Sequence, residues 1–180
     1  SDLTDAEWSI IEPLMPAPRR LGRPRKTNLR EVVNALLYIA SSGGAWRLLP
    51  TDFPPFSTVQ KYFYRWRDDG ILRTINNTLV MAARELTGKQ PSPSAGVIDS
   101  QSVKTTESGG IRGFDAGKKI NGRKRHIVVD TLGLMVGLVI HSAGIQDRDG
   151  APDVLKTILK RWPWLRHIFA DGGYLSLIHI

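Results

Sequence analysis

Residues 96–99, Gly96-Val97-Ile98-Asp99, form a short apolar run closed by a carboxylate, and they mark the point where the chain changes period. Ahead of them apolar residues recur at helical spacing, whereas behind them they come in the runs and alternations that suit strands. Downstream, His126-Ile127-Val128-Val129-Asp130 and residues 134–140 flank Thr131-Leu132-Gly133, which predicts a hairpin. A helix is predicted from about Pro152 to Trp162, with Val154, Leu155, Ile158, Leu159 and Trp162 on one side, Pro152 in its first turn and Pro163 after it. His167-Ile168-Phe169-Ala170-Asp171 then reads as a second strand ending in Asp. Strand, hairpin, helix, strand is the order of a mixed sheet with a right-handed crossover.

Upstream, Thr4-Asp5-Ala6-Glu7 is a capping box, and the helix it opens carries Trp8, Ile11 and Leu14 before stopping near Pro16. Residues 30–42 predict a second helix, ended by Gly43-Gly44. Ser57-Thr58-Val59-Gln60 reads as another capping box, with Val59, Tyr62, Phe63 and Trp66 as the apolar stripe behind it. A fourth helix is expected over residues 71–86. The Pro- and Ser-rich stretch after it is a linker. The expected class is α+β: a helical domain over 1–88, a linker over 89–95 and a sheet domain over 96–174.

Asp99 and Asp171 are the main candidates for chemistry. On parallel neighbouring strands joined by a crossover, both carboxylates would emerge at the C-terminal edge of the sheet, where α/β folds place their sites. Adjacent strands lie ~4.8 Å apart, so the two side chains could share a divalent ion. Phosphodiester cleavage needs such a pair, because two metals ~3.5–4 Å apart activate the attacking oxygen and stabilise the leaving one. The other reading is that each Asp merely starts a turn, as Asp171-Gly172-Gly173 could unaided. Asp147 and Asp149 glance at a calcium loop, but its twelfth position would be Ile158, so the loop is rejected and Asp149 is expected to cap the next helix.

The chain has 25 Lys and Arg against 17 Asp and Glu, a net charge of +8, which favours a polyanionic partner. Arg19, Arg20, Arg23, Arg25 and Lys26 form one basic cluster, and Lys118, Lys119, Arg123, Lys124 and Arg125 another. Both are rich in Gly or Pro, as mobile arms are, and both relieve their self-repulsion on a phosphate backbone. Gly22-Arg23-Pro24-Arg25 resembles the core of a minor-groove hook, with Leu21 where an Arg is expected. On the 57–68 helix, Lys61 and Arg65 are a like-charge pair costing ~0.2–0.5 kcal/mol in isolation. With Gln60, Tyr64 and Arg67 they make a face suited to a major-groove reader of helix-turn-helix type, or a plain solvated face.

The 180 residues, 41% apolar and 23% charged, can bury a core. Cysteine is absent, which excludes disulfides, Cys-zinc sites, iron–sulfur clusters and thiol catalysis. No apolar stretch reaches the ~18 residues of a membrane span, and no signal peptide is visible, so a cytoplasmic location is expected. The missing initiator Met predicts a few residues ahead of Ser1. His126, His141, His167 and His179 have no helical ligand spacing and read as structural. Phosphate loops, nucleophile elbows and zinc-protease signatures are not found.

Several longer motifs resemble bacterial insertion-sequence transposases of the IS-five group. They are Leu3-Thr4-Asp5-Ala6-Glu7-Trp8, Gly43-Gly44-Ala45-Trp46-Arg47-Leu48-Leu49-Pro50, and Val97-Ile98-Asp99-Ser100-Gln101-Ser102-Val103-Lys104-Thr105. Gly122-Arg123-Lys124-Arg125-His126, Val129-Asp130-Thr131-Leu132-Gly133-Leu134 and Ala170-Asp171-Gly172-Gly173-Tyr174 extend the match. The resemblance implies a helical DNA-binding domain followed by a ribonuclease-H-like catalytic domain. It implies an Asp-Asp-Glu triad with Mg2+ in a two-metal site, Mn2+ substituting, that cleaves transposon ends and joins them to target DNA. By motif, Asp99 is the first acid and Asp171 the second, both catalytic and metal-binding. The third, a Glu on a later helix, has no counterpart, so the sheet domain is expected to be incomplete and the chain inactive alone. Residues 175–180 depart from the family pattern, and their reverse translation resembles a sequencing-library adapter, so they read as a non-native tail. The expected partners are double-stranded DNA and further copies of the chain, in a bacterial nucleoid. The DNA contacts assigned are Arg23, Arg25, Lys26, Lys61, Tyr64, Arg65, Arg67, Lys118, Lys119, Arg123, Lys124 and Arg125. The alternative is a catalytically inactive DNA-binding regulator or relic.

Overall fold

A computed structural model describes residues 2–18, 22, 24–105 and 109–175. Arg19, Arg20 and Arg23 of the first basic cluster lie outside the described residues, as does the tail beyond Leu175. The chain divides into two compact units, Ser1–Asn76 and Asn77–Ile180.

The first unit holds helices α1 (Asp5–Ile11), α2 (Leu29–Ser42) and α3 (Phe56–Asp68), and the start of α4 (Ile71–Leu86). Thr4 caps α1 through the predicted box: its hydroxyl accepts from the Glu7 amide, while the Glu7 carboxylate takes the Thr4 amide at 2.8 Å. α2 ends where Gly43 turns left-handed at φ 64°, a conformation that a side chain opposes. Its inward stripe, Leu29, Val32 and Ala35, packs with Val59 and Trp66 of α3 and with Leu49 from the connection between them. The Trp46 ring rests 5.4 Å from Phe63 and so pins that long connection to α3. The Ser57 capping box is corrected. α3 starts at Phe56 behind Pro55, with no side-chain cap, since proline's fixed φ already presets the turn.

The second unit is a five-stranded mixed sheet: β1 (Ala95–Lys104), β2 (Gly113–Asp115), β3 (Ile120–Asp130), β4 (Met135–Ser142) and β5 (His167–Phe169). β1 runs antiparallel to β3 and parallel to β5, and β2 and β4 share the other edge of β3. Helix α5 (Asp147–Leu159) makes the crossover between β4 and β5. It begins at Asp147, not in the Pro152 turn, and Gln146 rather than Asp149 is its N-cap. α5 covers one face, where Val154 and Ile158 meet Ile98, Val128 and Val136. A Cβ at Gly137 would sit 2.3 Å from the Ile158 side chain, so the glycine is what lets helix and strand close. The other face keeps Val97, Leu138, Ile140 and Phe169 exposed.

Strand β3 extends well ahead of the apolar end that announces it. Every second residue, Gly122, Lys124, His126, Val128 and Asp130, faces inward. The second basic cluster is therefore largely strand, not a mobile arm. The hairpin after β3 is closed by Asp130, whose Oδ1 accepts from the amides of Leu132 and Leu134 at 2.9 Å. Its other oxygen pairs with Arg84 of α4, both side chains being almost fully buried. Arg84 also donates to the Gln90 carbonyl at 2.7 Å, so a single guanidinium ties α4, the linker and the hairpin.

Removing one member of a buried ion pair leaves the other charge uncompensated. Arg84→Ala should therefore destabilise the second unit by about 3–5 kcal/mol in urea denaturation followed by circular dichroism, and Arg84→Met with Asp130→Asn should recover most of the loss.

Candidate active site

The parallel pairing of β1 with β5 covers Ala95 with His167, Gly96 with Ile168 and Val97 with Phe169. Carried two residues further, the same register sets Asp99 against Asp171. Asp99 lies within β1, on its outward face, and its Oδ1 accepts from the Ser100 amide at 2.7 Å. Asp171 lies just past β5 and opens a single 3-10 turn, Gly172–Tyr174, accepting from the Gly173 amide at 3.0 Å. Both carboxylates are exposed. Asp171 thus starts a turn, as its two glycines predicted.

A third acid stands close by. A Cβ at Gly173 would lie 3.1 Å from Asp171 Oδ1 and 3.2 Å from Asp147 Oδ2, so α5 delivers Asp147 beside Asp171 across a space left by glycine. Asp147 and Asp115 enclose the Lys124 ammonium at 2.8 and 3.2 Å, and Ser102 donates to Asp115 at 2.5 Å. Burial works against both charged acids. It is outweighed at Asp115 by the Ser102, Lys118 and Lys124 hydrogen bonds, and at Asp147 by those from Lys124 and Ser100, so both titrate below the usual range. Lys124, desolvated but held by two carboxylates, is raised.

Beneath these acids lies a histidine pair. His126, wholly buried, has its ring 4.7 Å from His141, and its Nδ1 is 3.1 Å from the Tyr174 hydroxyl. Burial, reinforced by His141, lowers His126 to about 4, against the pull of Asp147. Burial raises Tyr174, as do the negative charges of Asp147, Asp99 and Asp171. No set of three or more His, Cys, Asp or Glu among the described residues forms a closed metal cage.

The basic residues fall into distinct environments. Lys124 is sealed between Asp115 and Asp147, with its side chain 6% exposed. Lys118, although exposed, donates to the Ser100 carbonyl at 2.9 Å, while Lys119 is exposed at φ 53°. Arg123 bonds the Ile111 and Gly109 carbonyls, and Arg125 bonds Gln101. In the first unit, Arg25 and Lys26 line a cleft with Tyr62 and Arg65, and Lys61 lines the adjoining one with Arg65 and Thr27. Tyr64 carries the Arg67 guanidinium 5.0 Å over its ring, and Arg67 and Arg65 pair with Asp68 and Asp69 on the surface. Sequence reasoning missed Ser100, Asp115, His126 and Tyr174, and it set Asp147 aside. The usable signal was the period-two run Lys124, His126, Val128, which points two polar residues inward.

Helices followed by a mixed sheet of this order are compatible with a ribonuclease-H-like DDE domain. Two family models match the chain in succession: a transposase of the IS4/5 family over residues 3–76, and a transposase DDE domain over residues 90–179. The chain belongs to the DDE transposases of the IS4/5 group. It is also 36% identical over 83 residues to the protein named y4sN of Sinorhizobium fredii. That match covers 46% of this chain and 64% of the relative. No helix among the described residues is long and apolar enough to cross a membrane.

The buried histidines and the low acids set the pH response. His126 and His141 both bind protons less readily folded than unfolded, so stability is full above pH ~6.5 and falls as pH drops toward 4. Asp115 and Asp147 then add a second loss below pH ~4, where the unfolded chain takes up their protons first. Urea midpoints against pH should show both phases, with an upper slope approaching about 1.4 kcal/mol per pH unit from His126 and a contribution of the same sign from His141. His126→Gln should remove one proton's share of the upper phase and leave the lower one.

Proposed function

We propose that this chain carries the end-binding unit and two metal ligands of a transposase that cleaves transposon ends and joins them to target DNA. The observation that supports it most is the parallel register of β1 and β5, which, continued two residues, sets Asp99 against Asp171. Two exposed carboxylates are hard oxygen donors, and Mg2+ is characteristically held by one or two carboxylates with substrate phosphates completing its shell. Asp99 and Asp171 fit that role, and the absence of a side chain at Gly173 keeps space beside Asp171. Bound there, the metal would supply activation of the attacking oxygen and stabilisation of the leaving one. Mn2+ would serve in its place.

Asp99 and Asp171 would hold the metal, and the phosphate would meet it on the side they leave open. The match spans only 64% of the relative's length, so the activity proposed is that of a whole transposase. In the helical unit, Lys61, Arg65, Arg25 and Lys26 around two adjoining clefts would grip the phosphate backbone of the terminal repeats, with Tyr64 and Arg67 on the same helix and Arg23 on the arm. Surface pairing with Asp68 and Asp69 is weak enough to yield to phosphate. Lys118, Lys119, Arg123 and Arg125 would add contacts from the sheet unit. The transposase would work as a homo-oligomer on the nucleoid.

In the parent transposase, Asp99→Asn and Asp171→Asn should each abolish Mg2+-dependent end cleavage while leaving the DNA dissociation constant unchanged. An inactive DNA-binding regulator would instead show no metal-dependent cleavage to lose. Lys61→Ala and Arg65→Ala should each lower the slope of log affinity against log salt by about 0.9, in filter-binding or anisotropy titrations. Unchanged slopes would remove α3 from the interface.

A further inference from the structure

The strand ladder that aligns the two acids ends at Val97 and Phe169, two residues short of them. No backbone pairing between β1 and β5 fixes Asp171 itself. Beyond Asp171 the chain makes a single 3-10 turn whose last residue is Tyr174. A turn of three residues has little stability of its own, so its position depends on where the tyrosine is held.

Tyr174 packs against the core beneath α5 and reaches two strands of the sheet. Its hydroxyl meets Nδ1 of His126 on β3 at 3.1 Å and hydrogen-bonds the Ser100 hydroxyl on β1. Ser100 directly follows Asp99, and successive strand residues face opposite ways, so the tyrosine grips β1 from behind the carboxylate. Burial decides the direction of the hydrogen bond. Nε2 of His126 has no partner among the described residues, and an unpaired buried N–H is rarer than an unpaired acceptor, which assigns the ring proton to Nδ1. His126 then donates to Tyr174, while the Ser100 hydroxyl also accepts from the Lys118 ammonium at 3.2 Å. Ser100 in turn bonds Asp147, which Lys124 holds at 2.8 Å.

We infer that Tyr174 is a positioning residue of the transposase site: through His126 and Ser100 it clamps the turn that carries Asp171, holding that carboxylate opposite Asp99. This rests on the reading of Asp99 and Asp171 as metal ligands. The clamp acts before DNA arrives, so it is measurable as metal affinity. Hydrogen-bonding groups behind metal ligands characteristically change affinity about 10–100-fold when removed.

The test is Mn2+ binding to the 180-residue chain, read from the electron paramagnetic resonance signal of free Mn2+. Tyr174→Phe keeps the ring and removes the hydroxyl; it should raise the Mn2+ dissociation constant about 10-fold, with the circular dichroism spectrum unchanged. Ser100→Ala removes the other end of the clamp. It should weaken binding in the same direction, and it serves as the test if Tyr174→Phe does not fold. Asp171→Asn should abolish binding. Wild-type affinity in Tyr174→Phe and Ser100→Ala alongside loss in Asp171→Asn overturns the clamp and leaves the two-carboxylate reading standing. Wild-type affinity in Asp171→Asn, or no Mn2+ binding by the unaltered chain, overturns both.

Discussion

Three backbone pairs between β1 and β5 are the constraint on which the candidate site depends. Parallel strands cannot be joined by a tight turn, so this contact exists only because α5 spans the crossover and packs Val154 and Ile158 onto the sheet. The hairpin of β3 and β4 supplies the floor for that packing, and Arg84 with Asp130 anchors the hairpin to α4 and the linker. The register of two short strands is thereby the outcome of contacts made across the whole second unit. A slip of one residue would turn Asp99 to the covered face and put Ile98 outside.

Charge in this chain is unevenly available. A net charge of +8 suggests a uniformly basic surface, yet Lys124 and Arg84 are spent inside, each against buried carboxylate. Burying an ion pair brings little net stability, because desolvation offsets most of the attraction. The value of these pairs lies in specificity: Lys124 accepts only an arrangement in which β2 and the start of α5 both bring an acid to β3. Among the described residues, the positive charge within reach of solvent lies on Arg25, Lys26 and α3 in the first unit, and on the β2–β3 turn and the outward face of the sheet in the second.

Elements whose signals are local were legible in the sequence. The Thr4 box, the left-handed Gly43 and the stripe over residues 71–86 each read true, because caps and helical faces are written within a few residues of one another. The paired strands were found from their apolar ends. β3 was read short because Lys124, an inward residue of its first half, looks like loop until its partner is known. That partner, Asp147, comes from far along the chain, as does Tyr174 on His126, and no spacing rule connects them. The same holds for the site. Two acids at the ends of apolar runs were visible, whereas the acids and hydroxyls that neutralise and hold their surroundings were not.

Gly173 constrains the gene as well as the fold. Every missense change in a glycine codon adds at least one carbon, and here that carbon would enter between Asp171 and Asp147. There it would sit 3.1 Å from one carboxylate oxygen and 3.2 Å from the other, so both acids must give way before any side chain fits. The position is therefore far less open to mutational drift than its neighbour Gly172, with nothing within 4 Å of an added Cβ.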